Sequence, residues 1–440
     1  HLVSLGCPKN RVDSEVMVGT LQQGDYTLVD SPEQADVIVV NTCSFIQPAT
    51  EESVETVLEM ARFKELGSCQ KLIVTGCMVQ RYGQSLEGEL PEVDHFLGTG
   101  EYHRIDEVLS RPQAPRSFVD TPLYIHDELS PRVNSWAKHS AYLKISEGCN
   151  HRCTFCIIPQ LRGKLRSRTV ESLVAEAARL ASQGVRELNL ISQDSTAYGR
   201  DLYGKPALAQ LLQALARVDG VDWLRIHYAY PIGLPDELLD VIANEPKVLP
   251  YLDMPLQHAS GTMLKAMKRG VTRAGQERIL ERLRAAVPEV SIRTTFIVGF
   301  PGETDEDFAV LEDFVASQRF SRVGVFTYFS EDGTPAAGLP GQVPDEVKEQ
   351  RQARLMELQA EISLELHEEL VDTVQPVLID CVSSESELLL EGRLKTQAPD
   401  VDGKVFVSGS LQGAAPGQIR DVQITQAGPY DLAGELCHGR

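Results

Sequence analysis

The sequence lacks the features of membrane-inserted and secreted proteins. It contains no run of about 18 apolar residues, so it predicts no membrane-spanning helix. No amino-terminal segment combines basic residues with an apolar stretch, as a secretory leader would. The chain begins at His1, almost inside a predicted strand, and we expect a few native residues to precede it. The nine cysteines come without an extracellular signature, so we expect reduced thiols and a cytoplasmic protein.

Positive charge is also scarce, and the formal net charge is −21. Residues 1–128 hold 21 acidic and 9 basic side chains, residues 129–371 hold 32 and 28, and residues 372–440 hold 10 and 5. Nucleic-acid-binding proteins usually carry a basic domain or stripe, so tRNA is not favoured as a partner. An acidic surface favours a basic protein partner, although acidity also serves solubility alone.

The length of 440 residues suggests three domains of about 150 residues each, which we place at 1–128, 129–371 and 372–440. In the first domain, three short apolar runs alternate with helical stretches near 11–23 and 48–65. Apolar runs separated by helices predict β-α-β units and a parallel sheet.

Each of these three apolar runs is followed closely by a cysteine. We call these residues the edge cysteines: Cys7, Cys43 and Cys77. All strands of a parallel sheet end at the same edge, where ligands bind. The edge cysteines are therefore expected to converge on a metal or iron–sulfur cluster site. A single cysteine after a strand is more often a small core residue, and we interpret Cys69, Cys381 and Cys437 as outside the site.

The second domain alternates strand and helix, which predicts an incomplete (β/α)6 parallel barrel similar to a TIM barrel. The strand-like runs lie at 141–145, 187–191, 223–227, 250–254, 291–298 and 322–329, and a long amphipathic helix near 345–371 ends the domain. Active sites of such barrels lie where the strands end. Polar residues that follow these runs are therefore candidate site residues.

Three thiols lie within eight residues just after the first of these runs, in the spacing C-x3-C-x2-C. We call them the loop cysteines: Cys149, Cys153 and Cys156. Thiolates hold the irons of 4Fe–4S clusters, usually four cysteines to a cluster. Zinc would need a fourth ligand, which His151 or His258 could supply. A disulfide would leave one thiol over and needs an oxidising compartment.

The stretch from Glu147 to Pro159, with its aromatic Phe155, resembles the signature of radical S-adenosylmethionine (SAM) enzymes. The resemblance implies a 4Fe–4S cluster on the loop cysteines, with SAM at its open iron. The run from Ile297 to Glu303 is similar to the fifth-strand motif of that family, where glycine lets the backbone approach the adenine. The candidate SAM contacts are Phe155, Ser192, Gln193, Gln257, Arg293, Gly299 and Glu303.

The third domain changes to four short strand-like runs, at 376–382, 387–391, 404–408 and 419–426, which are separated by turn clusters. This pattern predicts a small antiparallel β-barrel. It resembles a TRAM domain, an OB-like module that usually grips RNA. Phosphate binding needs Lys and Arg, and this copy is acidic, so we expect it to attract a basic protein. The acidic side chains concerned are Glu385, Glu387, Glu391, Asp400 and Asp402. A barrel that only packs against the rest of the chain is the alternative.

The order of the three domains resembles the radical-SAM methylthiotransferases over the whole chain. The sequence motifs at 4–10, 12–15, 148–159 and 249–260 resemble those of the RimO branch. Enzymes of that branch modify the β-carbon of an aspartate in ribosomal protein twelve of the small subunit. Two other readings stay open. One is the MiaB-like branch, which methylthiolates tRNA adenosine, and the other is a non-catalytic acidic iron–sulfur protein on the ribosome.

The resemblance implies two 4Fe–4S clusters and SAM as cofactors, with a sulfide or polysulfide sulfur source and an external one-electron donor such as flavodoxin or ferredoxin. The loop cysteines are implied to hold the cluster that cleaves SAM, and the edge cysteines the cluster that presents sulfur. The cofactors carry this chemistry, so no protein acid or base is expected. Because the two clusters must meet, we expect the first domain to cap the barrel mouth. We expect a monomer that binds ribosomal protein twelve or the small ribosomal subunit.

Overall fold

The computed structural model describes residues 1–111, 113–409 and 413–437. Its first part is a five-stranded sheet in which every strand pair is parallel and the strands follow chain order. The strands are β1 (Leu2–Ser4), β2 (Val37–Thr42), β3 (Lys71–Gly76), β4 (His95–Leu97) and β5 (Ser117–Phe118). The helices are α1 (Pro8–Gln22), α2 (Gln47–Ala61), α3 (Phe63–Leu66), α4 (Cys77–Tyr82), α5 (Leu86–Glu89) and α6 (Ile105–Ser110), with 3-10 turns at Pro32–Gln34, Gly83–Ser85 and Tyr102–Arg104.

Both faces of this sheet are covered, because successive side chains of a strand point to opposite sides. Ile38 and Val40 enter one apolar core, whereas Val39 enters a second core together with Ile73. The sheet therefore holds its carboxyl edge, where the edge cysteines begin, on a rigid two-sided support.

The second part is a six-stranded parallel sheet in the order β6-β9-β10-β11-β12-β13, with β6 and β13 as its two edges, and a small hairpin of β7 and β8. The strands are β6 (Ser140–Lys144), β7 (Ser146–Glu147), β8 (Arg166–Ser167), β9 (Glu187–Ile191), β10 (Trp223–Ile226), β11 (Val248–Asp253), β12 (Ser291–Val298) and β13 (Arg322–Thr327). The helices are α7 (Ile158–Arg162), α8 (Val170–Ser182), α9 (Arg200–Tyr203), α10 (Leu208–Leu215), α11 (Asp236–Asn244), α12 (Gly261–Ala266), α13 (Arg273–Ala286), α14 (Asp305–Gln318) and α15 (Asp345–Glu368), with 3-10 turns at Ser195–Ala197 and Pro335–Gly338.

The two faces of this second sheet differ sharply in polarity. Leu143, Leu190 and Ile292 belong to the large apolar core beneath the helices. Their neighbours one residue away, which point to the other face, include the polar Asn189 and Arg293. The predicted partial barrel is therefore confirmed, and polar side chains line part of its other, concave face.

The third part is a closed barrel in the order β14-β15-β16-β18-β17. Its strands are β14 (Val374–Val382), β15 (Leu390–Leu394), β16 (Val405–Ser408), β17 (Ile419–Ala427) and β18 (Leu432–Leu436). The predicted small barrel is confirmed, with a fifth strand, β18, that the sequence reading missed. Four strand pairs are antiparallel, and β16 and β18 pair in parallel to close the barrel.

Buried ion pairs hold this third barrel against the amino ends of the second sheet. Glu187, at the start of β9, accepts hydrogen bonds from Arg225 at 3.1 Å and from Arg393 at 2.7 Å. Burial raises the pKa of Glu187, but Arg393 and Arg225 outweigh that effect and hold it below the ordinary value. The first domain contacts the opposite end of the second sheet, at the carboxyl ends of the strands. None of the described helices is both long and apolar enough to cross a membrane.

Candidate active site

The loop cysteines lie on the segment that joins β7 to α7, within the connection between β7 and β8. The Cys149 amide donates to the Gly163 carbonyl at 3.1 Å, and the Cys156 amide to the Cys153 carbonyl at 3.2 Å, so the loop folds back on itself. Gly148 has a φ of +82°, and a Cβ there would lie 2.2 Å from the Lys164 carbonyl oxygen. Only glycine fits this position, which makes the tight turn possible.

The loop cysteines are half-buried rather than sealed in a core. Burial raises the pKa of Cys149 to about 11 and that of Cys156 to about 12. The Arg269 guanidinium Nη1 lies 3.4 Å from the Cys153 sulfur and is itself stacked on Tyr230, 4.2 Å from the ring centre. Buried thiols with raised pKa values need a strong cation to become thiolates, and a bound metal supplies one. This all-thiol donor set fits the irons of a 4Fe–4S cluster.

The edge cysteines lie where the sequence predicted, at the carboxyl ends of β1, β2 and β3. The Gly6 backbone approaches Cys43 so closely that a Cβ at Gly6 would lie 2.9 Å from the Cys43 sulfur. Burial raises the pKa of Cys43, and it raises the pKa of Cys77 to about 12. The Nη2 atom of Arg162 lies 3.6 Å from the Cys77 sulfur. This second set resembles the first in having one guanidinium against a sulfur, but two of its thiols, Cys43 and Cys77, are more deeply buried.

The two cysteine sets adjoin across the domain boundary. Cys77 packs against Ile157 and Leu161, the residues that directly follow the loop cysteines. The Lys9 ammonium lies 3.2 Å from the ring centre of Tyr228, which follows β10. The expectation that the first domain caps the barrel mouth is therefore confirmed.

A buried network of charges fixes this arrangement, and the sequence reading missed it. Lys144 pairs with Asp13 of α1 and, at 2.9 Å, with Glu147. Arg162 pairs with the same two carboxylates, at 2.7 and 3.2 Å, and donates to Asn10. An unpaired buried charge is strongly destabilising, so this closed set specifies how the two domains dock. One sequence signal was present: Lys144 is a charge inside an otherwise apolar strand.

Among the predicted SAM contacts, Gln257, Gly299 and Glu303 lie together after β11 and β12. Gln257 has a φ of +73°, and its Oε1 atom is buried without a hydrogen-bond partner among the described residues. Glu303 accepts hydrogen bonds from the amides of Gly299 and, at 3.1 Å, of Phe300. Burial raises the pKa of Glu303 to about 7 despite the nearby Arg351. An orphaned buried amide oxygen in this group fits a polar ligand such as SAM.

Gly299 itself differs from the sequence picture in one respect. A Cβ there would lie 2.2 Å from the Lys348 side chain of α15, so it is this aliphatic stem that approaches the glycine. Phe155 packs at the margin of an apolar cluster that includes Met267 and Phe300.

The other three predicted contacts have protein partners. Ser192 is fully buried and lies 3.0 Å from the Ser195 hydroxyl. Gln193 donates to Glu147. Arg293 lies on the concave face near the start of β12, 3.3 Å from Asp253 and 3.5 Å from a third-domain carboxylate. Five residues separate Arg293 from Val298, about 16 Å along the strand, so its site is deep in the barrel rather than at the mouth.

The remaining cysteines lie apart from both sets. Cys69 is buried in an apolar core of the first domain, and its sulfur donates to the Lys71 carbonyl at 3.4 Å. Cys381 is exposed on β14, and Cys437 follows β18. His151, considered above as a zinc ligand, bonds Asp194 at 2.7 Å and stacks on Tyr230. In residues 1–111, 113–409 and 413–437, no three His, Cys, Asp or Glu side chains meet closely enough for a single metal ion.

The acidic residues of the third domain divide into two groups. Asp402 is buried and accepts from the Tyr251 hydroxyl at 2.8 Å, and Asp400 pairs with Arg11 at 3.3 Å. The buried Asp402 therefore binds the rest of the chain, which corrects the expectation that it attracts a partner, whereas the Asp400 side chain remains 45% exposed. Glu391 is paired with Lys404 at 2.9 Å. The exposed pair Glu385 and Glu387 lies between β14 and β15, beside Leu388, which is 79% exposed.

Family models match all three parts of the chain. Residues 1–98 match the Uncharacterized protein family UPF0004, residues 143–315 the Radical SAM superfamily, and residues 371–437 the TRAM domain. A solved structure of the radical SAM methyltransferase TsrM from Kitasatospora setae aligns with a TM-score of 0.55 at 14% identity, covering 94% of this chain and 79% of that chain. That likeness is one of fold. With the cysteine loop at the barrel mouth, these matches define a radical-SAM enzyme, a class that uses SAM and a 4Fe–4S cluster.

Closer relatives narrow the class. The protein named ribosomal protein uS12 methylthiotransferase RimO from Anaeromyxobacter sp. (strain Fw109-5) is 55% identical over 99% of this chain and 92% of its own length. Its counterpart of the same name from Myxococcus xanthus (strain DK1622) is 52% identical over 99% of this chain and 91% of its own. The chain belongs to the RimO methylthiotransferase family.

Proposed function

We propose that this protein attaches a methylthio group to the β-carbon of an aspartate in ribosomal protein uS12, the small-subunit protein twelve. The observation that carries the proposal is the meeting of two three-cysteine sites at one barrel mouth. A cluster with SAM, held by the loop cysteines, would supply the chemistry that activates the C–H bond, and a cluster held by the edge cysteines would supply the sulfur. The loop cysteines and the edge cysteines are the proposed ligands of these two clusters.

The protein's own part is to hold these groups together and keep water out. Arg269 and Arg162 each place a guanidinium against a ligand sulfur, which stabilises the thiolate form by charge. The network around Lys144 and Glu147 fixes the separation of the two sites. Gln257 and Glu303, with Phe155, Ser192, Gln193 and Gly299, are the proposed SAM-binding set, whereas Arg293 lies deeper in the barrel.

The substrate proposal rests on family and on charge. The relatives above carry uS12 in their names, and ribosomal proteins are rich in Lys and Arg. Acidic Glu385 and Glu387 beside the exposed Leu388 form a surface suited to a basic protein. The sulfur source is proposed to be sulfide or polysulfide, and the reductant a flavodoxin or ferredoxin. The protein is proposed to work as a monomer in the cytoplasm.

The direct test uses anaerobically reconstituted protein with SAM, sulfide and reductant. We expect methylthiolation of purified uS12, located on one aspartate by mass spectrometry, and no methylthioadenosine in tRNA treated in parallel. A modified tRNA with unmodified uS12 would assign the MiaB-like activity instead. Absence of 5′-deoxyadenosine in every mixture would favour the non-catalytic reading.

A second prediction tests the docking surface. Glu385→Lys with Glu387→Lys is expected to lower the association rate with uS12 by about tenfold at low salt, because steering depends on complementary charge. The loss should shrink as salt rises, since exposed charges are screened beyond about 8 Å at physiological ionic strength. The matched control is Glu281→Lys with Glu349→Lys, which reverses two exposed acids outside the third domain.

The protein-binding and RNA-binding interpretations of the third domain predict opposite effects of the added lysines. If the domain binds RNA, added lysines should strengthen binding to tRNA and leave uS12 binding unchanged. Equal losses in the test and control variants would mean that only net charge matters. Cofactor cleavage should stay unchanged in both, because neither pair lies near the cysteine sites.

A further inference from the structure

The surface around the loop cysteines is cationic in an otherwise acidic protein. Five exposed basic residues lie on or beside segments that contact the loop, and we call them the cationic face: Arg152, Lys164, Arg200, Lys265 and Lys268. The whole chain carries a net charge of −21. A local positive face is therefore a specific feature rather than a consequence of composition.

Contacts place these residues around the loop. Arg152 lies within it, and the residue after it is a loop cysteine. Lys164 follows Gly163, whose carbonyl accepts the Cys149 amide. The Thr154 amide and hydroxyl bond the carbonyls of residues 267 and 266, next to Lys268 and Lys265. These four cations therefore lie inside the loop or one residue from a direct hydrogen bond with it.

A cavity opens at the centre of this face. Its volume is about 430 Å³, and Cys149, Arg200 and Lys268 are among the residues that line it. Ile232 also lines it and is 41% exposed. An apolar side chain in a ring of charges is the usual composition of a protein docking site.

These cations have no carboxylate partner within 4.0 Å in the part of the chain that the structure describes. Some exposed arginines elsewhere are paired, as Arg282 is with Asp236 and Arg354 with Glu312. Two nearby acids bond other groups: Asp194 bonds His151 at 2.7 Å, and Asp201 accepts the Ser167 amide at 2.7 Å. The positive charge of the face is thus left available to a partner.

We propose that the cationic face docks the acidic one-electron donor that reduces the cluster site on the loop cysteines. In this step the donor, a flavodoxin or ferredoxin, loses one electron and the site gains one, with no bond made or broken. Transient redox partners use small interfaces of below about 1,200 Å² and depend on complementary charge for speed. The basic substrate has no reason to bind here, since like charges repel. The inference rests on the proposed function, which requires a reductant.

The test compares two triple charge reversals of the reconstituted full-length protein. The test variant is Arg200→Glu, Lys265→Glu, Lys268→Glu, and the matched control is Lys138→Glu, Arg217→Glu, Arg278→Glu, three exposed cations away from the loop with the same change in net charge. Reduced flavodoxin is mixed with each protein, and its oxidation is followed by stopped-flow absorbance. We expect the second-order rate to fall at least about tenfold in the test variant at low salt, to approach wild type at high salt, and to change little in the control.

Dithionite separates failure of this inference from failure of the proposed function. With dithionite as reductant, all three proteins should keep their iron and release 5′-deoxyadenosine at equal rates. An unchanged flavodoxin rate in the test variant, or equal losses in test and control, would overturn the docking proposal. So would a loss of tRNA or ribosomal RNA binding in place of the flavodoxin effect, which would make the face an RNA surface. Absence of cleavage with dithionite in wild type would count against the proposed function alone.

Discussion

Replacing Cys7, Cys43 and Cys77 with alanine is expected to abolish methylthiolation of uS12 while reductive cleavage of SAM continues. The edge cysteines lie on a different domain from the loop cysteines, and the first domain keeps its two apolar cores without them. About four of eight irons should be lost, since a cubane cluster holds four. Iron analysis, 5′-deoxyadenosine release and mass spectrometry of uS12 measure the three outcomes.

A matched control uses cysteines outside both sets. The triple variant of Cys69, Cys381 and Cys437 to serine should keep all iron and all product, because these residues lie apart from both sites. If the variant without edge cysteines lost SAM cleavage while the cluster on the loop cysteines stayed intact, the proposed separation of roles would be contradicted. Loss of iron in the serine control would mean that a ligand was assigned wrongly.

The convergence of the edge cysteines could be predicted because it follows from a rule of topology. Parallel strands end at one edge, so residues at the same position after successive strands become neighbours whatever the distance in sequence. The partial barrel was predictable for the same reason, since its repeated strands and helices leave few other arrangements.

The domain-docking network could not be predicted, because its partners come from distant parts of the chain. Lys144 is recognisable in the sequence as a charged residue in an apolar strand, but the sequence does not indicate that Asp13 is its partner. The pairing arises only when α1 lies on the barrel mouth. Charge counting failed in the third domain for a related reason. It gave the sign of the domain's net charge but not the direction of Asp402, whose side chain is buried against Tyr251.

Strand β18 was missed because its local signal is weak. Gly434 and Glu435 interrupt the apolar pattern, and glycine is uncommon within strands. The structure gives the reason for the glycine: a Cβ at Gly434 would lie 2.6 Å from the Gln423 carbonyl oxygen of the neighbouring strand. Barrel closure, a long-range requirement, therefore outweighs local strand preference at this position.

The largest single effect is expected from replacing Cys149, Cys153 and Cys156 with alanine. This variant should lose both the 5′-deoxyadenosine and the methylthiolated product, while keeping the other half of the iron on the edge cysteines. The reason is that SAM needs the open iron of the loop cluster, and no other described thiol lies on that loop. Arg269, which now faces the Cys153 sulfur at 3.4 Å, would lose that partner.

Comparison of the two alanine variants gives the decisive result. Each should keep about half of the iron, and a mixture of the two inactive proteins should stay without product, because both sites must meet at one barrel mouth within one chain. Product from the mixture would indicate that sulfur passes between molecules, against the confirmed packing of Cys77 on Ile157 and Leu161. Zinc in place of iron in the variant without edge cysteines would indicate that the loop cysteines form a structural zinc site. Full iron retention in the loop variant would remove the cluster assignment on which the proposed chemistry depends.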